Sequence, residues 1–166
     1  MPAPSYQAGV DNTERLLRTP IAPLTVGRFD AAPGVDRPLN VRGSVLQGGT
    51  DGTFAGYIRD ALSTELATAS RLAADGPARV SGTLLHNDLH ASSAEGGATI
   101  RMRFRVDREG RVAYERELTA EHRWESSFMG AIAIPAAMNN YAGAVQKLIG
   151  MLFDDPAFQQ ATAAPR

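Results

Sequence analysis

A chain of 166 residues with 43% apolar and 21% charged side chains is long enough for one domain with a proper core, and its composition is that of an ordinary globular protein. A formal net charge of −1 provides no global field toward nucleic acid or an anionic membrane. The lack of cysteine removes disulfides, thiolate metal sites and a cysteine nucleophile together. No apolar run approaches the roughly 20 residues of a membrane-spanning helix, and the N-terminus lacks the basic-then-apolar pattern of a signal peptide.

Residues 1–20 are polar and contain proline, with Leu16 and Leu17 as their main apolar anchors, and read as a flexible or loosely docked arm ahead of a single domain over 21–160. "LTVGRF" (24–29) is a short strand candidate. "LNVRGSV" (39–45) alternates Leu39, Val41 and Val45 with Asn40, Arg42 and Ser44, as a half-buried strand does. Thr53 caps a helix predicted to run to about Leu72, with Phe54, Ile58, Ala61, Leu62, Leu66 and Ala69 on one face, and Asp75-Gly76-Pro77 stops it.

Three strands follow, over 78–85, 98–106 and 111–124. In the second, Ile100, Met102, Phe104 and Val106 alternate with Arg101, Arg103 and Arg105. In the third, Val112, Tyr114, Leu118 and Ala120 alternate with glutamates. A three-residue turn, Arg108-Glu109-Gly110, sets Phe104 opposite Tyr114, Val106 opposite Val112, Arg103 opposite Glu115 and Arg101 opposite Glu117. That register satisfies both faces except at Arg116. It also neutralises the arginine row within the protein rather than leaving it for phosphates. The chain ends with an extended, uncharged segment, then a helix over 136–153 with a stripe of Met138, Tyr141, Val145, Leu148, Ile149 and Leu152. A last short turn is capped by Asp155 with Pro156 at its first position.

These elements predict one α+β domain, a mostly antiparallel sheet of four or five strands with two main helices packed on one face. The strands before and after the first predicted helix are expected to run parallel.

Two stretches bear on chemistry. In "LLHNDLH" (84–90), His86 and His90 flank Asp88. On a helix they would share a face. On the strand read here they stand roughly 13 Å apart, too far to share an ion held at about 2.1 Å. No catalytic, cofactor or metal site is therefore assigned, and a hydrolase using His86, Asp88 and His90 stays as an alternative. In "FMGAIAIP" (128–135) eight uncharged residues join a strand to a helix, where connections are normally polar. The favoured reading buries the segment as core or as an extra strand. The other exposes it as a partner surface anchored by Phe128, Met129, Ile132 and Ile134.

The helix "FAGYIRDALSTEL", the strand "VSGTLLHNDL" and the run "WESSFMGAIAIPAAMNNYAGAVQKLIGMLFDDPAF" together resemble a group of uncharacterised lipoproteins of proteobacteria, over roughly residues 42–161. The order of elements is also similar to that of small outer-membrane lipoproteins such as the lipopolysaccharide-assembly lipoprotein. The resemblance implies a secreted precursor cleaved before a lipid-bearing cysteine. Since the sequence has no cysteine, that residue is expected upstream of Pro2. It implies a periplasmic domain anchored to the outer membrane that binds or scaffolds an envelope protein or lipid component. Self-association or small-molecule binding are alternatives. Contact with the membrane is expected through the N-terminal anchor only, with no nucleic-acid partner and no cofactor.

Overall fold

A computed structural model describes residues 1–165. Its central element is a four-stranded mixed sheet in the order β1-β4-β5-β6. The strands are β1 (Thr25–Ala31), β4 (Ala78–Ala91), β5 (Glu95–Arg108) and β6 (Arg111–Glu125). A separate small hairpin holds β2 (Leu39–Val41) and β3 (Ser44–Leu46). Among the described residues four helices complete the single α+β domain: α1 (Val10–Arg18), α2 (Phe54–Thr68), α3 (Gly130–Asp154) and α4 (Pro156–Thr162).

One face of the sheet is apolar and the other wet, as the alternation predicts. Val80, Leu84, Leu89, Ile100, Met102, Phe104, Val106, Tyr114 and Ala120 point to the helices and are buried. Helix α2 packs on β1 and β4, and α3 crosses β4, β5 and β6. Thr53 caps α2 by accepting from the Gly56 N–H at 2.9 Å. Its predicted apolar face is buried throughout. The helix ends before Leu72, because Ser70 takes a left-handed conformation (φ 58°). At Gly82 the missing Cβ makes room for the core: a methyl there would lie 2.7 Å from the Phe29 ring and 3.0 Å from the Met102 sulfur.

The structure corrects several expectations. The 39–45 stretch is two short strands, because Arg42-Gly43 turns with both residues at positive φ. The parallel pair exists, but it is β1 with β4, and the β2–β3 hairpin lies between β1 and α2 in the chain. The β5–β6 turn has two residues, Glu109 and Gly110, both at positive φ, with Arg108 opposite Arg111. A bulge then shifts the register, so that Val106 faces Tyr114, Phe104 faces Arg116 and Arg103 faces Glu117. Up to the bulge the slip against the predicted register is two residues, which keeps Phe104, Val106, Tyr114 and Ala120 on the predicted face, whereas Val112, beyond the bulge and opposite Asp107, is exposed rather than inward.

Arg116, the misfit, reaches the end of α3. Its guanidinium and the Tyr114 hydroxyl both donate to Asp155 Oδ2, each at 2.8 Å, while Asp155 Oδ1 caps α4 through the Ala157 N–H. Asp155 is thus the predicted cap and also the acceptor that takes Arg116 off the sheet face.

Residues 1–20, expected as a flexible or loosely docked arm, carry α1 and lie against the domain. Leu16 is fully buried, α1 packs on α2 and α3, and Arg15 pairs with Asp154 at 3.0 Å. The anchor is polar. Glu65 on α2 is buried, and its Oε1 accepts from the Tyr6 hydroxyl (2.5 Å), the Gly9 N–H (3.1 Å) and Asn12 Nδ2 (3.1 Å). Charged acceptors of this kind contribute about 1.5–3 kcal/mol per hydrogen bond, enough to hold a segment with few apolar residues.

Candidate interaction surface

The segment expected as a buried strand is the start of a helix. Helix α3 begins at Gly130, six residues before the predicted start, and runs through Pro135. Pro135 removes one rung near the helix start, the bond to the Ala131 carbonyl. Alanine is the strongest helix former, and the segment is rich in it. What reads as alternation in "AIAI" is a helical stripe: Ala133 and Ala137 are buried one turn apart and lead into Tyr141, Val145 and Leu148.

Helical geometry turns the large side chains the other way. Phe128 is 75% exposed, Met129 50% and Ile132 54%, while Ile134 is half-buried. Three of the four candidate residues therefore form an exposed apolar patch at the N-terminal end of α3. The Met129 N–H is held by Ser127 Oγ at 3.1 Å, and Ser126 ties the entry to the β4–β5 turn through the Ala94 carbonyl at 3.0 Å. At the border of the patch is a residue the sequence reading missed. Arg42, at the tip of the β2–β3 hairpin, donates to the Ser127 and Phe128 carbonyls at 2.5 Å each. It has no carboxylate partner among the described residues. Its local signal is the Arg-Gly dipeptide of a tight turn; nothing in the sequence shows that the turn meets residue 128.

The histidines stand on strand β4, which continues through the whole of "LLHNDLH". A bulge at Leu85 shifts the pattern, so His86, Asp88 and His90 lie exposed while Asn87 and Leu89 face the core. His90 Nδ1 approaches Asp88 Oδ2 at 3.6 Å. His122 is on β6, two strands away, and meets Asn140 of α3 at 2.9 Å. The structure thus brings His90 and Asp88 together and keeps His122 apart. Among the described residues no group of three or more His, Asp or Glu converges.

The arginine row lies on the wet face. Arg103 pairs with Glu117 at 3.0 Å and Arg105 with Asp107 at 2.8 Å, whereas Arg101 faces His86 and Thr119. A shallow cleft of about 300 Å³ opens there over Ser81 and Thr83, walled by Arg28, Arg103 and Arg105 together with Asp30 and Glu115. Carboxylates stand among the three arginines, and Arg103 and Arg105 are already paired with Glu117 and Asp107.

A second cleft, of about 420 Å³, lies between residues 2–6, residues 48–50 and the α2 side chains Tyr57, Asp60 and Thr64. Burial pushes the Tyr57 phenol up to about 12, and its buried hydroxyl has no hydrogen-bond partner. Beside it, burial and then the hydrogen bond to Glu65 push the Tyr6 phenol well above its ordinary value.

The fold recurs in solved structures. A Xanthomonas campestris protein of family model DUF330 matches with a TM-score of 0.64 at 16% identity, covering 96% of this chain and 95% of that one. A candidate lipoprotein from Caulobacter crescentus matches with a TM-score of 0.52 at 12% identity, over 93% of this chain and 98% of that one. At these identities the likeness is one of fold. No protein-family model matches the sequence, and no curated protein matches it. No helix among the described residues is long and apolar enough to cross a membrane.

Proposed function

We propose that the protein is the folded domain of a periplasmic lipoprotein, tethered to the outer membrane through a lipidated cysteine upstream of Pro2, and that it acts by binding an envelope component rather than by catalysis. The observation that carries the reading is the patch of Phe128, Met129 and Ile132. Three large apolar side chains within residues 128–132 stand exposed, where an isolated domain gains nothing from them. The fold shared with the Caulobacter crescentus protein supports the lipoprotein part. The exposed positions of His86, Asp88 and His90, outside both clefts, favour binding over hydrolysis.

Two measurements test it. Metabolic labelling with palmitate should mark the native gene product, and an unlabelled product refutes the anchor. Ile132→Asp should melt within about 2 °C of wild type, because the side chain is more than half exposed, while losing capture of the envelope component. An unfolded variant would mean that the segment is core.

The unpartnered Tyr57 hydroxyl supports a second reading, a small-molecule site in the 420 Å³ cleft. A ligand that raises the melting temperature of the wild type but not of Tyr57→Phe would establish it.

A further inference from the structure

The patch at the start of α3 is small and has a cation at its border, and the chain's first residues run beside it. Residues 1–3 lie along β3: the residue 1 nitrogen donates to the Val45 carbonyl at 2.7 Å, the Gln47 N–H to the Met1 carbonyl at 2.8 Å and the Ala3 N–H to the Gln47 carbonyl at 2.9 Å. Val45, itself 44% exposed, is two residues beyond the Arg42-Gly43 tip, and Arg42 touches the Ser127 and Phe128 carbonyls. Residue 1, Val45, Arg42 and the patch therefore share one end of the molecule.

We infer that this end faces a lipid bilayer, with Phe128, Met129 and Ile132 inserted at the headgroup boundary and Arg42 at phosphate level. This rests on the lipoprotein reading for the tether, and it goes beyond that reading by giving the domain a second membrane contact besides the lipid. Size decides between a bilayer and a protein partner. Three side chains fall far short of the roughly 800 Å² per partner of a standard protein interface, whereas shallow insertion of a few apolar side chains beside a cation is how peripheral segments hold to lipid. Charge agrees. The Arg42 guanidinium is bound only to carbonyls, so its full charge remains for a lipid phosphate. A chain continuing upstream from residue 1 into an acylated cysteine would bring the lipid out on this same end, so tether and patch would engage one surface together.

Residues 1–166 contain no cysteine, so in that chain an introduced thiol is the one that takes the label. Ile132→Cys is labelled with an environment-sensitive nitrobenzoxadiazole dye, and Val112→Cys, exposed near the β5–β6 turn, serves as the control site. Each protein is tethered by an N-terminal histidine tag to nickel-chelating lipid in vesicles of phosphatidylethanolamine and phosphatidylglycerol. The expected result is at least a twofold rise in emission with a blue shift at position 132, no change at 112, and loss of the rise when Phe128→Asp is added while tethering is unchanged. Vesicle-bound protein with no change at 132 overturns the inference and leaves the patch to a protein partner. An equal rise at both sites also overturns it. The palmitate experiment reports on the anchor independently: an unlabelled native product with a dye response removes the tether and keeps the patch, and the reverse removes the patch alone.

Discussion

All four tyrosines of the chain are held above their ordinary pKa of 10.0. Burial is the leading cause in each case. Hydrogen bonds to the Glu65 and Asp155 carboxylates push Tyr6 and Tyr114 further. The folded chain therefore keeps phenolic protons that the unfolded chain releases above about pH 10, so this contribution to stability is complete below pH 10 and is lost as pH rises. Each buried phenol costs about 1.4 kcal/mol by pH 11. Tyr57, Tyr114 and Tyr141 are buried, and together they remove about 4 kcal/mol at pH 11 and about 8 kcal/mol at pH 12. Tyr6 is half-buried and adds less. Set against a typical total of about 5–15 kcal/mol, a loss of that size removes a large part of the stability, so the domain should become steeply easier to unfold as pH rises from about 10 to about 12. Phenolate absorbance and circular dichroism followed in one titration provide the assay. No phenol should ionise near pH 10, and all four should appear as the helical signal collapses. A tyrosine that titrates near pH 10 in a chain with native dichroism would refute the burial argument for that residue.

Phe104→Ala should cost about 3–5 kcal/mol in urea melts, as for a fully buried aromatic, whereas Arg103→Ala, an exposed ion pair, should cost under about 1 kcal/mol. Glu65→Ala leaves three donors without their acceptor, and should cost about 3–5 kcal/mol while opening residues 1–18 to limited proteolysis. Glu65→Gln keeps the acceptor oxygen and should lose less than half as much. Gly82→Ala sets a methyl 2.7 Å from the Phe29 ring, and should cost about 1–3 kcal/mol by overpacking, read as a lowered melting temperature.

The sheet was legible because one of its faces is wet. Period-two patterning then states which side chains go in, and Phe104, Val106 and Tyr114 went where the pattern put them. The register was less legible for the same reason: a slip of two residues preserves every facing, so the pattern cannot penalise it. Only Arg116 carried the missing information. A cation at an inward position of an otherwise consistent strand marks a partner from outside the sheet, here Asp155 at the end of α3. The docking of residues 1–20 was hidden because their anchor is a carboxylate rather than an apolar cluster. A signal did exist. Glu65 lies four residues after Ala61 and seven after Ile58, inside the apolar stripe of α2, and a charge in that place has to be satisfied by something from elsewhere in the chain.

The patch shows the opposite failure, in which a valid local pattern has two solutions. As a strand, the alternation of Ile132 and Ile134 with Ala131 and Ala133 would bury both isoleucines on one face. As a helix, the same residues put Ala133 and Ala137 inward, and leave Ile132 outward with Phe128 and Met129. The choice is made downstream, because Ala137, Tyr141, Val145 and Leu148 extend the inward stripe at helical spacing for three further turns, and Ala133 is its natural first member. Pro135 argues for the strand only if each missing rung is decisive. At about 3 kcal/mol in a helix interior, and less near the first turns where backbone donors lack partners anyway, it does not outweigh a stripe of that length. The fold thus exposes Phe128, Met129 and Ile132 as a consequence of burying the alanines beside them. Three large apolar side chains left outside by that trade persist at no benefit to the isolated domain, and that is why the surface they form is read as a contact.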